Sequence, residues 1–441
     1  MLRIRDAYRE TRQILGIQPG DSSAARWSRY VVECQEGDTR LLYQELTGEL
    51  LALAPGEEEP REELYRRWFL VPPDLDEFAL AGQLKVRYRD FAPRRDYINT
   101  YTIFTTMECN ARCFYCYEKA WRQGTMTRET ALKTVDYICR YRGVRKVYLT
   151  WFGGEPLCHA EIIDLVSAEL RRRGVPYQSD MISNGYLFDE NSLGRAADLW
   201  NLKKVRITLD GMHDTYRRIK NYCNDDPDPL TTVIRNIEGL LAREIWVEIR
   251  LHVDLHNRAE IHSLSDYLIG RFGGRPLVNV YPHLLYEDHD GVGVHHEESL
   301  HTELVNTCME LEQKLFRHGL FTWRLRESPR FHACLADEDQ VLAVLPDGSL
   351  LKCRDYLDRP RAGNVWEQVP PDPDHVRDWK ILADDLAACR SCLFYPECER
   401  LRNCTEKQTC HLADIMRKRY GLEQAMRLAF CEAEKKGDAR L

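Results

Sequence analysis

Three kinds of segment are missing from this sequence, and each absence removes a class of protein. No uninterrupted apolar stretch reaches membrane-spanning length, so we predict that this chain does not span a membrane. The first residues, 1–13, are charged throughout, unlike a secretory signal, and we expect a cytoplasmic location. No basic stripe with interleaved aromatic residues is present, and the formal charge is −8, so nucleic acid is not an expected partner.

Disulfides are a further expected absence, although the chain has 16 cysteines. The cytoplasm disfavours disulfides, so clustered cysteines there indicate metal sites. Three cysteines fall within 109–116 and seven within 334–410. The other six are scattered, as small buried apolar side chains usually are: Cys34, Cys139, Cys158, Cys223, Cys308 and Cys431.

The length of 441 residues indicates two or three domains. Shifts in composition and periodicity divide the chain into five parts. We predict a small N-terminal α+β module, an alternating β/α core, a helical bridge, a cysteine-rich domain and a C-terminal helix. Their ranges are 1–96, 97–295, 296–329, 330–415 and 416–441.

Strand and helix patterns alternate from about residue 100 onward. Thr127 is a candidate N-cap for a helix over 128–141, and residues 160–173 have one apolar helical face. This alternation predicts a parallel sheet, and six units are too few to close an eight-fold barrel. We therefore predict an α/β fold, an open partial (β/α)6 TIM-like barrel with its ligand site at the carboxyl ends of the strands. The predicted strands are 101–106, 146–152, 177–183, 204–210, 245–253 and 277–282.

The first cysteine cluster follows the first predicted strand directly and reads Cys109-Asn-Ala-Arg-Cys113-Phe-Tyr-Cys116. Three thiolates on one loop can hold a four-iron, four-sulfur cube whose remaining iron stays open. An open iron can bind a chelating small molecule and pass it an electron. The alternative is a zinc knuckle, although structural zinc sites prefer four ligands, commonly in two pairs.

This spacing, with an aromatic residue before the third cysteine, resembles the signature of the radical SAM superfamily. In that family the open iron binds S-adenosylmethionine (SAM), and the 5′-deoxyadenosyl radical formed from it abstracts a hydrogen atom from the substrate. A GGEP segment one βα unit later and motifs after the next strands extend the resemblance. It implies a SAM pocket formed by Tyr115, Gly153, Gly154, Glu155, Ser183, Asn184, Thr208, Asp210, Arg217 and Leu251. The alternative for the last two is a surface arginine and a core leucine.

The C-terminal cysteines are similar to those of the SPASM extension of radical SAM enzymes, which carries two auxiliary [4Fe-4S] clusters. The resemblance leaves the first auxiliary cluster with three cysteine ligands, so a substrate thiolate could occupy its open iron. Cys308, His332 or water are the alternatives there, and two zinc sites are the alternative for the whole domain. The resemblance assigns Cys334, Cys353 and Cys404 to one cluster, and Cys389, Cys392, Cys398 and Cys410 to the other.

The N-terminal module has about the size of the peptide-binding domain found in maturases of ribosomally made peptides (RiPPs). That winged-helix-like domain has a three-stranded sheet plus helices, and the leader of the precursor peptide adds a strand to its edge. The segment LLYQELTGELLAL, 41–53, resembles its sheet region. The alternative is a structural cap on the barrel.

These resemblances imply a radical SAM peptide maturase that installs a thioether or carbon–carbon crosslink in a precursor peptide. Its expected cofactors are SAM and three [4Fe-4S] clusters, with flavodoxin or ferredoxin as an electron donor. The second hypothesis is an anaerobic sulfatase-maturating enzyme, which makes formylglycine and has an acidic base directly after the equivalent of Cys353. Here Arg354 intervenes, so Asp355 is a candidate catalytic base or a solvated turn carboxylate. The third hypothesis is a non-enzymatic zinc or redox scaffold.

Overall fold

Tertiary contacts divide the chain into two units in the computed structural model. One unit comprises residues 95–321 and 334–380, and the other comprises 1–94, 322–333 and 381–441. Side chains of residues 2, 10 and 88–91 are not described. The structure describes residues 1–5, 8–18, 20–56, 60–91, 96–121, 124–255, 257–285, 298–327, 334–355, 357–398, 400–404 and 410–436.

The N-terminal residues form a small α+β module. Its elements are β1 (Leu2–Arg5), α1 (Arg9–Leu15), β2 (Arg26–Trp27), β3 (Val31–Glu36), β4 (Thr39–Gln44), β5 (Glu49–Leu53), α2 (Arg61–Arg66), β6 (Leu70–Val71) and α3 (Glu77–Phe91). An antiparallel sheet has the strand order β1-β5-β4-β3, and β2 pairs separately with β6. The sheet therefore has one strand more than the three-stranded sheet of the peptide-binding domains.

Left-handed backbone occurs at two places in this module. Residues 39–53 form two strands, because the chain turns between β4 and β5 at Gly48, whose φ is +67°. Helix α2 ends at Arg66, and Trp68 has a φ of +68°. The chain then continues as β6.

Six parallel strands in sequential order form the core of the other unit. This arrangement confirms the predicted partial (β/α)6 barrel, with one helix, α7, that the sequence analysis did not predict. The strands are β7 (Thr100–Thr106), β8 (Val147–Gly153), β9 (Tyr177–Ser183), β10 (Leu202–Leu209), β11 (Trp246–Val253) and β12 (Val278–Leu284). The helices are α4 (Arg128–Tyr141), α5 (Ala160–Arg172), α6 (Glu190–Asp198), α7 (His213–Lys220), α8 (Pro229–Leu241), α9 (Arg258–Phe272) and α10 (Glu298–Arg317).

Local sequence accounts for the barrel elements. The Thr127 hydroxyl accepts a hydrogen bond from the Thr130 backbone N–H at 3.1 Å and caps α4, as predicted. Helix α5 buries the apolar face expected from its period of 3.6, including Ile163 and Val166. Along β9 buried and half-buried side chains alternate, so successive side chains point to opposite faces of the sheet.

A hairpin extends the barrel sheet beyond its first strand, which the sequence analysis did not predict. The added elements are β13 (Val341–Val344), β14 (Ser349–Leu351) and β15 (Gly363–Asn364), followed by α11 (Pro373–Asp378). Strand β13 pairs in parallel with β7, and β14 pairs antiparallel with β13. Phe104 and Phe152 pack against Leu345 and Leu351, so apolar burial attaches the hairpin to the barrel.

The final helix, α12 (Leu412–Lys436), packs Met426 and Phe430 against the N-terminal sheet. In the same unit, Cys389 and Tyr395 pack against Leu84 of α3. Residues 330–415, predicted as one domain, thus contribute to both units, and the five predicted domain boundaries stay predictions. Among the described helices, none is long and apolar enough to cross a membrane.

Candidate active site

The predicted SAM-pocket residues lie mostly at the carboxyl ends of consecutive barrel strands. The loop 109–116 follows β7, Gly153 ends β8, Ser183 ends β9, and Asp210 follows β10 directly. In a parallel α/β barrel these strand ends surround one side of the sheet, where ligands bind. Hydrogen bonds between them join these segments into one site.

Gly153 and Gly154 bring the end of β8 against the backbone that leads to Cys109. A Cβ on Gly153 would overlap the Thr106 carbonyl oxygen, and a Cβ on Gly154 would overlap the Glu108 carbonyl oxygen. Gly154 N–H donates to the Thr106 carbonyl at 3.1 Å. Glycine is required at this pair because the chain's own backbone occupies the space of a side chain.

Glu155 links the ends of β8 and β9. Its carboxylate is fully buried and accepts from the Ser183 hydroxyl at 2.9 Å, the Asn184 N–H at 2.8 Å and the Leu157 N–H at 3.1 Å. Burial raises the pKa of Glu155 to about 7, although the Asn184 and Leu157 hydrogen bonds favour the carboxylate. Two motifs that were predicted separately, one with Glu155 and one with Ser183 and Asn184, are therefore in direct contact.

The loop that carries the three cysteines is held from two sides. The Asn184 side-chain amide donates to the Asn110 side-chain oxygen at 2.7 Å, which joins the loop to the end of β9. The backbone N–H groups of Arg112 and Cys223 donate to the carbonyls of Lys220 and Asn110, at 2.9 and 2.8 Å. The segment after α7 thus pairs with the loop along its backbone.

The thiols of Cys109, Cys113 and Cys116 are each half-buried. Burial, and next the Glu155 carboxylate, raises the pKa of Cys109 to about 12. Burial also raises the pKa of Cys113, whereas the nearby Lys220 ammonium lowers it. The thiols of Cys109 and Cys113 are therefore protonated at neutral pH, and a metal must displace their protons to bind.

The donor set on this loop fits an iron–sulfur cluster. Within the described residues, no three His, Cys, Asp or Glu side chains converge as they would around a single metal ion. A cube spaces its thiolate ligands around a body of several atoms, and thiolates are its natural ligands. The loop provides three thiols, and Lys220 lies beside Cys113, where it favours the thiolate form.

A buried polar network lies beneath the loop. The Asp210 carboxylate accepts from the Tyr115 hydroxyl and from Nδ1 of His252, each at 2.9 Å, and its second oxygen lies 3.0 Å from Nζ of Lys220. Lys220 Nζ also donates to the Tyr115 hydroxyl at 3.0 Å. Sequence reasoning missed Lys220 and His252. A polar residue on the interior face of β11 was the available signal for His252.

Leu251 lies on the other face of β11 from His252. It is fully buried and pairs with Leu209 of β10, whose side chain belongs to the apolar core. Successive strand residues alternate between faces, so Leu251 and the network residue His252 point in opposite directions. This placement favours the core-leucine interpretation, while Thr208 is half-buried on β10 and pairs with Arg250.

Arg217 lies on α7 with a side chain that is 56% exposed. Its guanidinium is 3.6 Å from the Asp214 carboxylate, one turn earlier on the same helix. The structure thus places Arg217 as a surface arginine, and its predicted pairing with a SAM carboxylate stays a prediction.

Asp355 lies next to the cysteine loop. The hydroxyl of Tyr117, the residue after Cys116, donates to its carboxylate at 3.4 Å, and Arg354 Nε lies 3.6 Å from the same oxygen. The Asp355 side chain is 43% exposed, which fits both predicted roles, a base open to a substrate and a solvated turn carboxylate. Its catalytic role stays a prediction.

Cys334 and Cys353 flank the β13–β14 hairpin, so antiparallel pairing brings them toward the same end of it. Lys352, which is buried, ties this end together by donating to the carbonyls of Glu338 at 2.5 Å and Val341 at 2.8 Å. Cys404, the third residue predicted for this cluster, belongs to the other unit.

The remaining cysteine block folds with the N-terminal module. Cys389 is buried, Cys392 and Cys398 are half-buried, and Cys410 is exposed. Nζ of Lys85, on α3, donates to the Cys398 carbonyl at 2.7 Å and lies 3.5 Å from the centre of the Tyr395 ring. Of the alternative ligands for an open iron, Cys308 is fully buried on α10 and His332 lies outside the described residues.

Comparison with known proteins identifies the central part of the chain. Residues 103–267 match the model of the radical SAM superfamily. GTP 3',8-cyclase of Microcystis aeruginosa is 34% identical over 148 residues, which is 32% of this chain and 40% of that protein. GTP 3',8-cyclase of Clostridium perfringens strain SM101 is 30% identical over 171 residues, which is 37% of this chain and 50% of that protein. The chain thus spans half or less of the length of these relatives.

Solved structures match over more of the chain. Native anSMEcpe with bound AdoMet and the Cp18Cys peptide has a TM-score of 0.56 and 17% identity, covering 77% of this chain and 99% of that one. Streptococcus suis SuiB bound to precursor peptide SuiA has a TM-score of 0.52 and 11% identity, covering 85% and 94%. At these identities the likeness concerns the fold. The chain therefore contains a radical SAM domain over residues 103–267, and its fold is similar to that of these two solved structures.

Proposed function

We propose that this enzyme is a peptide maturase that installs a thioether or carbon–carbon crosslink in a ribosomally made precursor peptide. The observation that carries the proposal is the hairpin at the edge of the barrel sheet. It brings Asp355 against Tyr117, directly after the cysteine loop, and presents Cys353 one residue beyond Lys352. The similarity in fold to two enzymes with bound peptides supports the same substrate class.

The residues proposed to hold the cofactors are those of the sequence analysis. Cys109, Cys113 and Cys116 would bind a [4Fe-4S] cluster whose open iron, with SAM, supplies the 5′-deoxyadenosyl radical. The end of β8 and the Glu155 contacts would form the wall of the SAM site, and Asp355 would receive a proton from the substrate. Two auxiliary clusters would use Cys334, Cys353 and Cys404, and Cys389, Cys392, Cys398 and Cys410.

The N-terminal module is the proposed leader-binding site. Strands β1 and β3 are the outer strands of its antiparallel sheet. An outer strand can pair with an extended peptide through backbone hydrogen bonds. A flavodoxin or ferredoxin would deliver the electron that starts each turnover.

The test is anaerobic turnover with SAM, a reductant and a short cysteine-containing peptide encoded beside the gene. Formation of 5′-deoxyadenosine together with a peptide mass loss of about two per crosslink, the two hydrogens removed, is the expected result. Tandem mass spectrometry would locate the link. Cys109→Ala is the matched control and should give neither product.

Three other outcomes would replace this proposal. An aldehyde at one peptide cysteine would support the sulfatase-maturating hypothesis. Cyclisation of GTP in the absence of peptide would support the activity that the curated relatives are named for. Zinc with no labile sulfide at the C-terminal cysteines would remove the auxiliary clusters from the proposal.

A further inference from the structure

The network beneath the cysteine loop contains a lysine that the proposed chemistry does not use. Lys220 ends α7, and its side chain is 3% exposed, as buried as that of its partner Asp210 at 1%. Lysine is rarely this buried unless it is paired, because desolvating the ammonium costs several kcal/mol. The buried pair of Lys220 and Asp210 is therefore expected to have a role at this site.

The charges in the network are fixed by the pairing. Burial lowers the pKa of Lys220, but Asp210 outweighs burial, so the pKa is raised and the ammonium is retained. Burial raises the pKa of Asp210, but Lys220 and His252 outweigh it, so the carboxylate is retained. For His252, burial is the largest influence and lowers the pKa.

The lysine contacts the loop through its side chain and its backbone. Nζ donates to the Tyr115 hydroxyl at 3.0 Å, and Tyr115 lies between Cys113 and Cys116. The Lys220 carbonyl accepts from the Arg112 N–H at 2.9 Å and lies 3.8 Å from the sulfur of Cys113. The Tyr115 ring packs edge-on against His252 at 4.9 Å between centroids.

We propose that Lys220 is a positioning residue that holds Tyr115, and with it Cys113 and Cys116, against the barrel and places a fixed positive charge beside the cluster bound there. The inference rests on the proposed cluster at Cys109, Cys113 and Cys116, and it does not depend on the substrate. A cluster held by thiolates is anionic when reduced. Because cluster charge and nearby charges set the potential, a buried ammonium at this place makes reduction easier.

The experiment compares Lys220→Met with Lys220→Arg in the full-length, reconstituted protein. Methionine keeps most of the volume and removes the charge, whereas arginine restores the charge and the donors. Lys204→Met is the matched control, because Lys204 lies on β10, the strand that leads to Asp210, but is one-third exposed and pairs with Asp180 and Glu248. The readouts are loss of the loop's iron to a chelator and the midpoint potential of its cluster by electron paramagnetic resonance.

Lys220→Met should lose iron from the loop about 10-fold more readily, as removal of outer-shell partners typically does, and should shift the midpoint to lower potential. Lys220→Arg should recover both properties, and Lys204→Met should resemble the wild type. The loop's share of the iron is defined by the difference between wild type and Cys109→Ala. An unchanged potential and unchanged iron retention in Lys220→Met would overturn the proposal.

Two further variants keep the test decisive if Lys220→Met does not fold. Lys220→Met with Asp210→Asn removes both buried charges, and Tyr115→Phe removes only the hydroxyl. The double variant should fold and lose iron from the loop more readily than the wild type, but its potential should stay near the wild-type value, because one charge of each sign is removed. Tyr115→Phe should also lose iron more readily while keeping the wild-type potential. If Cys109→Ala retains all of the wild-type iron, the cluster assignment fails instead, which is a different result from an unaffected Lys220 variant.

Discussion

Two buried lysines support two cysteine segments in different ways. In the barrel unit, Lys220 faces the carboxylate of Asp210 and the hydroxyl of Tyr115. In the N-terminal unit, Lys85 is 4% exposed, donates to the carbonyl of Cys398 and lies over the ring of Tyr395. Lys220 is therefore paired with a charged group, whereas Lys85 contacts a backbone carbonyl and the face of an aromatic ring.

The difference separates a reactive loop from a packed one. Tyr395 and Cys389 belong to an apolar cluster with Leu84, so hydrophobic burial fixes that cysteine block. The loop 109–116 instead depends on hydrogen bonds and ion pairs, which can be tuned without filling the space that a ligand needs. We infer that the first site is organised for chemistry and the second for structure, and this inference can be tested.

The largest contrast is expected between Cys109→Ala and Cys389→Ala. Cys109→Ala should abolish SAM cleavage while the iron-free protein keeps its melting temperature, because the thiol is half-buried and outside the packed core. Cys389→Ala should lower the melting temperature, because Cys389 lies in the apolar cluster and cluster binding contributes folding free energy. Deoxyadenosine assays and calorimetry measure the two effects. Equal losses of both properties in both variants would remove the contrast.

Asp355→Asn tests the catalytic role proposed beside the loop. If Asp355 accepts a substrate proton, the amide should reduce crosslinked peptide about 10²- to 10⁴-fold. SAM cleavage should continue, because Asp355 is not among the proposed cluster ligands. Measuring deoxyadenosine and crosslinked peptide in the same reaction gives the ratio. Asp347→Asn, in the β13–β14 turn, is the control, and an unchanged ratio in Asp355→Asn would show a turn carboxylate.

The two lysines should also differ in their contribution to stability. Lys220→Met leaves the Asp210 carboxylate buried and unpaired, which should cost about 3–5 kcal/mol. Lys85→Met leaves a carbonyl without one donor and removes a cation–π contact, which should cost about 1–3 kcal/mol. Urea unfolding of the iron-free proteins compares them. If Lys85→Met lost more unfolding free energy than Lys220→Met, our interpretation of the two sites would be reversed.

The sequence predicted the barrel well because its signals are local. Apolar spacing gave the six strands and the buried face of α5, and the Thr127 cap followed from one residue type. The sequence could not show that β13 joins β7, because that pairing links residues far apart in the chain. Lys220 was missed for a similar reason, since its burial depends on Asp210 and Tyr115, which come from other elements.

The same limit, that sequence signals are local, explains why Arg217 and Leu251 are the weakest parts of the predicted pocket. Motif matching gives their positions in the sequence but not the direction of their side chains. Strand alternation points Leu251 away from His252, and α7 leaves Arg217 exposed. By contrast, Glu155, Ser183 and Asn184 are joined by direct hydrogen bonds, so the motif and the geometry agree there.

The smallest predicted effect concerns a second buried acid. Glu45, in the N-terminal unit, is 2% exposed, and its Oε2 has no hydrogen-bond partner within the described part of the chain. Burial, and next the Glu397 carboxylate, raises the pKa of Glu45, the opposite of the direction found for Asp210. An acid whose folded pKa is raised keeps its proton longer in the folded state, so stability falls as the pH rises above the unfolded value of about 4.3.

Glu45→Gln should therefore stabilise the protein at neutral pH and have little effect near pH 3, where Glu45 is protonated in both the folded and the unfolded state. Each unit by which the pKa is raised corresponds to about 1.4 kcal/mol at a pH above the folded value. Urea unfolding of the iron-free protein at several pH values measures the difference in unfolding free energy between variant and wild type. Glu33→Gln is the control, because Glu33 lies on β3 with an exposed side chain. A gain that does not depend on pH would show that the glutamine acts through packing. In that case the comparison with Asp210, which rests on how each acid's charge is balanced, would not extend to Glu45.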